Sequence, residues 1–215
     1  MAGYSNYIKR LIQYILPAVC QHCQDYIPVG DTLGQACCPA CLDQLKPKLC
    51  YYKTHISQTP ALSCLEYTGV IRALLHQLKF LGDQSVIPLI QALIRPHISE
   101  KSRIVPLLGH SSRKKERGFD PVEAIFKPLL PQAYTPCLVR HKKTPKLYNQ
   151  TAETRYALLN GAFTLSQTIK VPDNQPVVLV DDIYTSGSTA ESAITCLKNH
   201  GVTCLSVFTV CHRIV

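Results

Sequence analysis

Several familiar features are missing from this chain. No apolar run is long enough to span a bilayer. No small-x-small cleavage site follows the first apolar stretch cleanly. There is no internal repeat and no low-complexity tract. These absences argue against a membrane-spanning, exported, solenoid or disordered protein. Acidic residues are scarce: 14 Asp and Glu stand against 23 Lys and Arg, a net charge of +9. Such an excess suits an anionic partner, whether nucleic acid, a phosphorylated metabolite or an acidic membrane surface.

What is present fits a folded protein. The apolar share is 46% and the charged share 17%, and 215 residues suffice for one sizeable α/β domain plus a small module. Near the N-terminus, Ile8, Leu11, Ile12, Ile15 and Leu16 share one helical face. That predicts an amphipathic helix packed on the fold. The expected location is cytoplasmic, with peripheral contact at the inner membrane as the alternative use of this helix.

Eleven cysteines are many, but the number is odd and no export signal accompanies them, which argues against a disulfide framework. Cys20-x-x-Cys23 and Cys38-x-x-Cys41 form two knuckles fourteen residues apart. Two such pairs place four thiolates around a tetrahedral ion, so the expectation is structural Zn²⁺. Cys37 is an alternative to Cys38, and His22 lies inside the first knuckle. Cys50, His55 and Cys64 are candidates for a second site with poorer spacing. The remaining cysteines, Cys137, Cys196, Cys204 and Cys211, read as small buried hydrophobes.

Beyond the cysteines, helices are expected from Ile71 through Leu78, with Gly82 and Asp83 ending the first, and from Val86 to Ile94. Arg72, His76 and Lys79 read as lying off the first helix's apolar stripe. A strand is expected over Arg103–Gly109, then a basic loop (HSSRKKERGFD), then a helix from Pro121 to Leu130. Short strands follow near Cys137–Arg140 and Gly161–Leu165, with a second basic run at 140–146. Val177–Val180 is a buried strand, Thr189–His200 a helix, and Val202–Val210 a last strand. Strand, helix, strand in this order implies a parallel sheet.

The segment VVLVDDIYTSGST, residues 177–189, concentrates the chemistry. Asp181 and Asp182 follow the apolar strand and emerge at the sheet's carboxyl rim, where α/β proteins bind ligands. Thr185, Ser186, Gly187, Ser188 and Thr189 then lead into a helix N-terminus, whose free amides and dipole attract anions. Carboxylates want hydroxyl donors or a metal, so a sugar phosphate satisfies both ends. Ser188-x-x-Glu191 also reads as a capping box. The segment lacks the Walker lysine spacing, so a P-loop is a poor match.

This segment resembles the phosphoribosyl-pyrophosphate motif of type I phosphoribosyltransferases. The resemblance implies that Asp181 and Asp182 hold ribose hydroxyls and that residues 185–189 cradle the 5′-phosphate. The cysteine module, LHQLKFLGD, IVPLL, RKKERGFD, TPK and the GAF stretch, in this order, resemble the ComF family of competence proteins. That implies a zinc-binding module over residues 1–66 and a phosphoribosyltransferase-like parallel sheet flanked by helices over 67–215. It further implies a role in DNA uptake during natural transformation. Where the family has Asn-Gln after Arg-Gly-Phe, this chain has Asp120 and Pro121.

Three functional readings follow. The first is a site for phosphoribosyl pyrophosphate or a related sugar phosphate, with phosphoribosyl transfer if it turns over. A leaving diphosphate needs Mg²⁺ and basic neighbours. Lys79, Arg113, Lys114, Lys115 and Arg117 are the candidates, and Arg117 is favoured because its stretch carries the family resemblance. The second is a module handling single-stranded DNA that kept the fold and lost the reaction. It would use the basic runs at 113–117 and 140–146, with Tyr148 and Tyr156 as stacking candidates. The third is a scaffold docking to a competence helicase or a membrane-associated uptake complex.

Overall fold

The computed structural model describes residues 19–20, 23–27, 38–41, 49–99, 101–141, 161–167 and 175–213. The expected amphipathic helix over residues 8–16 lies outside them. So do His22, Cys37, Lys142, Lys143, Lys146, Tyr148, Arg155, Tyr156 and the Cys50 side chain.

The described chain is built on a five-stranded sheet. In chain order its strands are β1 (Leu49–Ile56), β2 (Thr59–Glu66), β3 (Arg103–Pro106), β6 (Val177–Tyr184) and β7 (Leu205–His212). The spatial order is β1-β2-β7-β6-β3, parallel throughout except for β1, which pairs antiparallel with β2. Two further strands, β4 (Leu138–Arg140) and β5 (Phe163–Leu165), make a separate antiparallel pair. This is the parallel α/β sheet that the strand-helix-strand pattern predicts.

Helices cover both faces. Helix α1 (Gly69–His76) runs into a π-helical turn, Gln77–Leu81, that Gly82 ends in a left-handed conformation. After it come α2 (Ile87–Ile94), α3 (Ser111–Arg117), α4 (Pro121–Phe126) and α5 (Ser188–Lys198). Alternation along the strands divides the core in two. Val180, Phe208 and Val210 pack with Leu74, Leu75, Ile90, Ile125 and Phe126. Leu179 and Val207 pack with Ala193, Ile194 and Leu197 of α5.

Three local expectations are corrected. The basic stretch after β3 is not a loop: Ser111–Arg117 form α3. His110 accepts the Ser112 amide at its start, and Gly118 ends it with a φ of 87°. Its Arg, Lys and Glu residues are good helix formers, but it buries no face, so periodicity could not reveal it. The last strand is displaced to Leu205–His212, because the Val202 amide still bonds back to Leu197 at the end of α5. The sheet also begins before residue 67, since β1 and β2 lie in the stretch read as the cysteine module and β2 pairs along β7.

The β1–β2 hairpin turns through Ser57 and Gln58, both at positive φ (46° and 66°). A two-residue hairpin asks for this conformation, but asparagine and glycine are its usual occupants. Ser57 is anchored on α5: its Oγ donates to Glu191 Oε1 at 2.6 Å, and its carbonyl accepts from Lys198 Nζ at 3.3 Å. A left-handed backbone costs about 1–2 kcal/mol at a non-glycine residue. Gln58→Gly removes that cost at the turn's other position. It is expected to raise the Tm by about 2–4 °C in a thermal melt, allowing for glycine's own entropy loss.

Candidate functional site

The site forms where two neighbouring strands stop at different places. β3 pairs with β6 from Arg103↔Val177 to Pro106↔Val180, and the Leu107 amide still reaches the Val180 carbonyl. There β3 leaves. The Gly109 amide turns to the Asp120 carboxylate at 2.9 Å, which also accepts the Val122 and Glu123 amides at the start of α4. Thus Asp120 and Pro121, the departure from the family pattern, make an N-cap followed by a proline at the first helical position.

Beyond Val180, β6 continues along β7 to Tyr184↔His212. The strand therefore does not end at Val180, as the sequence suggests. Asp181 and Asp182 lie inside it, on the stretch that β3 has abandoned. Their surroundings differ. Asp182 is 8% exposed and takes an ion pair from Lys79, Nζ to Oδ2 at 2.7 Å. Asp181 is half-buried, and its Oδ1 accepts the Asp182 amide at 2.8 Å. Burial and the adjacent Asp182 push the Asp181 carboxyl up to about 8, against a smaller downward pull from Lys79. For Lys79, burial opposes the ammonium, but the charge and hydrogen bond of Asp182 outweigh it and hold the group above the ordinary lysine range.

After Tyr184 the chain turns through residues 185–187 into α5. Gly187 is the N-cap, at φ 77°, and no side chain caps the helix. A Cβ there would stand 3.3 Å from Tyr184 Cε2 and 3.4 Å from Ile56 Cδ1, so sterics and backbone both require glycine. Ser186 Oγ and Ser188 Oγ share a hydrogen bond of 2.8 Å. The expected capping box does not form: Gly187, not Ser188, is the N-cap, so the helix starts one residue early and Glu191 lies past the capping position, where it accepts from Ser57 of the β1–β2 turn. Gly187 has no side chain with which to cap the first amides of α5. Asp181, Thr185, Gly187, Ser188, Thr189 and Thr209 surround a hollow of about 20 Å³, room for about one water.

The candidate cations divide. Lys79 reaches the acid pair directly. Lys114 is turned away, in an ion pair with Glu123 at 2.5 Å, and Lys115 is exposed. Among the described residues no hydrogen bond or ion pair joins Arg117 to Asp181 or Asp182. Arg140 closes β4 with its guanidinium 5.8 Å from the Phe163 ring centroid. Burial and the charge of Arg113 depress its pKa, while Asp181 acts in the opposite sense, so Arg140 feels both the neighbouring arginine and the acid. The sequence places Arg140 in a nucleic-acid-binding run. The signal that could have found it is its position at the end of an apolar strand.

Away from this rim, the Sγ atoms of Cys20, Cys23, Cys38 and Cys41 all lie within 4.8 Å of one another. Cys23 and Cys38 are 3.9 Å apart, near the edge of a tetrahedron with metal–sulfur bonds of about 2.3 Å and far beyond disulfide length. The Cys38 amide donates to Cys20 Sγ at 3.4 Å. Burial and the neighbouring Cys38 thiol push Cys41 up to about 11. A bound cation reverses that crowding by holding the thiols deprotonated. The cluster can hold a metal ion, and its donor set fits structural zinc. It is the one such grouping among the described residues. Cys64 instead is buried in the core, and His55 is exposed on β1.

Residues 138–214 match the family model described as the phosphoribosyl transferase domain. The chain is also similar to the DNA utilization protein YhgH of Salmonella typhi, at 26% identity over 166 residues, covering 71% of this chain and 72% of that protein. The YhgH protein of Salmonella typhimurium strain LT2 is 27% identical over the same length and shares. Among the described residues no helix is long and apolar enough to cross a membrane.

Two outcomes are expected. Metal analysis of the purified protein should find one zinc per chain. Cys38→Ser should lose it and Cys196→Ser should keep it; retention of zinc by Cys38→Ser would exclude the four-thiol site. The second outcome concerns pH. An unfolded chain releases the Asp181 proton near the ordinary value of 3.8, the folded one near 8. The folded state therefore holds the extra proton between these values, and stability falls as pH rises through that window. Asp181→Asn should melt like the wild type at the acid end and several degrees above it at the alkaline end. Parallel melting curves at both ends would contradict this assignment.

Proposed function

We propose that this ComF-like protein of the phosphoribosyltransferase fold binds phosphoribosyl pyrophosphate, or a related sugar phosphate, at the rim formed by β6 and α5, and serves in the uptake and handling of DNA. The observation that carries the reading is the uncapped start of α5 facing a hollow that it shares with Asp181. Free helix amides favour an anion, and a carboxyl group a few ångströms away favours hydroxyls. A ribose 5-phosphate carries both. The hollow is smaller than a phosphate, so the group would seat at its mouth, over the amides of Ser188, Thr189 and Ala190.

The diphosphate would extend toward the basic groups around Asp181. Arg113 and Arg140 join Arg117 as its candidate neighbours, and Mg²⁺ would accompany the diphosphate oxygens. Loss of diphosphate from the anomeric carbon builds positive charge on the sugar ring, which a nearby carboxylate stabilises. The role in DNA handling is supported by the similarity to DNA utilization proteins. The net charge of +9 suits a single-stranded DNA partner. A second reading, a DNA-handling module without turnover, draws on the same similarity.

Calorimetry tests the site. Phosphoribosyl pyrophosphate with Mg²⁺ should bind the wild type. The double variant Asp181→Ala, Asp182→Ala should lose at least about tenfold in affinity. Equal affinity in the two proteins would remove the ligand from this rim. Binding without release of diphosphate, with any nucleobase supplied, would favour the second reading.

A further inference from the structure

The helix that carries Lys79 breaks the usual polarity of a surface helix. Leu74, Leu75 and Leu78 form its buried stripe, and Lys79 follows Leu75 by four residues, on the same side. The sequence reads Lys79 as lying off the stripe, but its side chain is only 21% exposed. The next two residues are apolar and face outward: Phe80 is 61% and Leu81 71% exposed. The switch occurs in the π-helical turn Gln77–Leu81, which Gly82 closes at φ 70°. Widened turns of this kind often mark functional positions. Burying a lysine while exposing phenylalanine and leucine forgoes apolar burial, so packing does not account for it.

The partner does account for it. Lys79 Nζ lies 2.7 Å from Asp182 Oδ2, whose side chain is 12% exposed. Asp182 has no other ion-pair partner among the described residues. Two adjacent carboxylates at a binding rim repel an incoming phosphate dianion unless protons or a cation neutralise them. A divalent ion is the common answer in such sites. Here an ammonium already stands at hydrogen-bond distance, delivered by a helix on one face of the sheet. The charge of Asp182 in turn keeps Lys79 protonated despite its burial.

We infer that Lys79 is a built-in counter-cation: it neutralises Asp182 in place of a divalent ion, so the rim accepts a sugar monophosphate without metal. This rests on the sugar-phosphate reading above and deepens it. A requirement for Mg²⁺ would then belong to the diphosphate alone and not to the carboxylate pair. Lys79 acts through Asp182 and is a positioning residue.

Ribose 5-phosphate is the probe, titrated calorimetrically into the full chain in EDTA and in Mg²⁺. Wild-type affinity should agree in the two buffers within about twofold. Lys79→Gln should bind at least about tenfold more weakly in EDTA and recover in part with Mg²⁺. Lys79→Arg, which keeps the charge, should stay near the wild type. A purely packing role for Lys79 would give no such recovery with Mg²⁺. Wild-type binding that needs Mg²⁺, or Lys79→Gln that binds like the wild type in EDTA, overturns the inference. Should Lys79→Gln not fold, the metal dependence of the wild type decides alone. Absence of wild-type binding in both buffers would instead overturn the sugar-phosphate reading beneath it.

Discussion

β6 outlasts β3 by four residues, and the site follows from that mismatch. Pro106 ends the pairing, Leu107 makes one more hydrogen bond, and the Asp120 carboxylate then draws Gly109 away from the sheet. An ordinary parallel neighbour would have covered Asp181 and Asp182 on that side. Instead their stretch of β6 is held by β7 alone, firmly enough to fix the backbone and openly enough to admit another group. The same carboxylate that pulls β3 away caps α4, so the gap and the helix beneath it share one cause.

Into that gap the fold places unlike charges at unequal depth. Asp182 and Lys79 satisfy each other in a largely dry environment, an arrangement that adds little net stability but fixes geometry. Asp181 sits beside them, its carboxyl pushed up to about 8 by burial and the adjacent Asp182, and faces the hollow under α5. One acid thus belongs to the framework and the other to the opening. A pair of adjacent aspartates looks symmetrical in sequence. In the fold they take different parts, because one lies within reach of a helix bearing lysine and the other beneath a loop of hydroxyls.

Much of this was readable from the residues. The four cysteines, the run Val177–Val180, the glycine at 187 and the helix after it each carry a local physical signal: ligand spacing, unbroken apolarity, a required positive φ, and apolar periodicity. What escaped lacked such signals. α3 buries no face, and β1 alternates without a turn of the usual residue types, Ser57 and Gln58 standing where asparagine and glycine are customary. Lys79 was misplaced because a charged residue is expected to face solvent, whereas its position four residues after Leu75 puts it on the buried side, where Asp182 receives it. The capping box failed because the helix begins one residue early, with Gly187 as its cap, and Glu191 instead bonds a serine 134 residues away in sequence. Arg140 lies over the ring of Phe163 on the paired strand β5, a contact that no local pattern encodes.

Hairpin tips are the customary places to insert a tag or open a chain, since they tend to be free at the surface. The tip at Ser57 and Gln58 is bound twice to α5, once near each end of that helix, through Glu191 and Lys198. Ile56, just before it, packs against the corner at Gly187. An insertion there would tug on the very helix whose first turn faces the rim. The edge of the sheet farthest from β3 is therefore a mechanical handle on the loop at residues 185–187, and labels meant to be silent belong elsewhere on this protein.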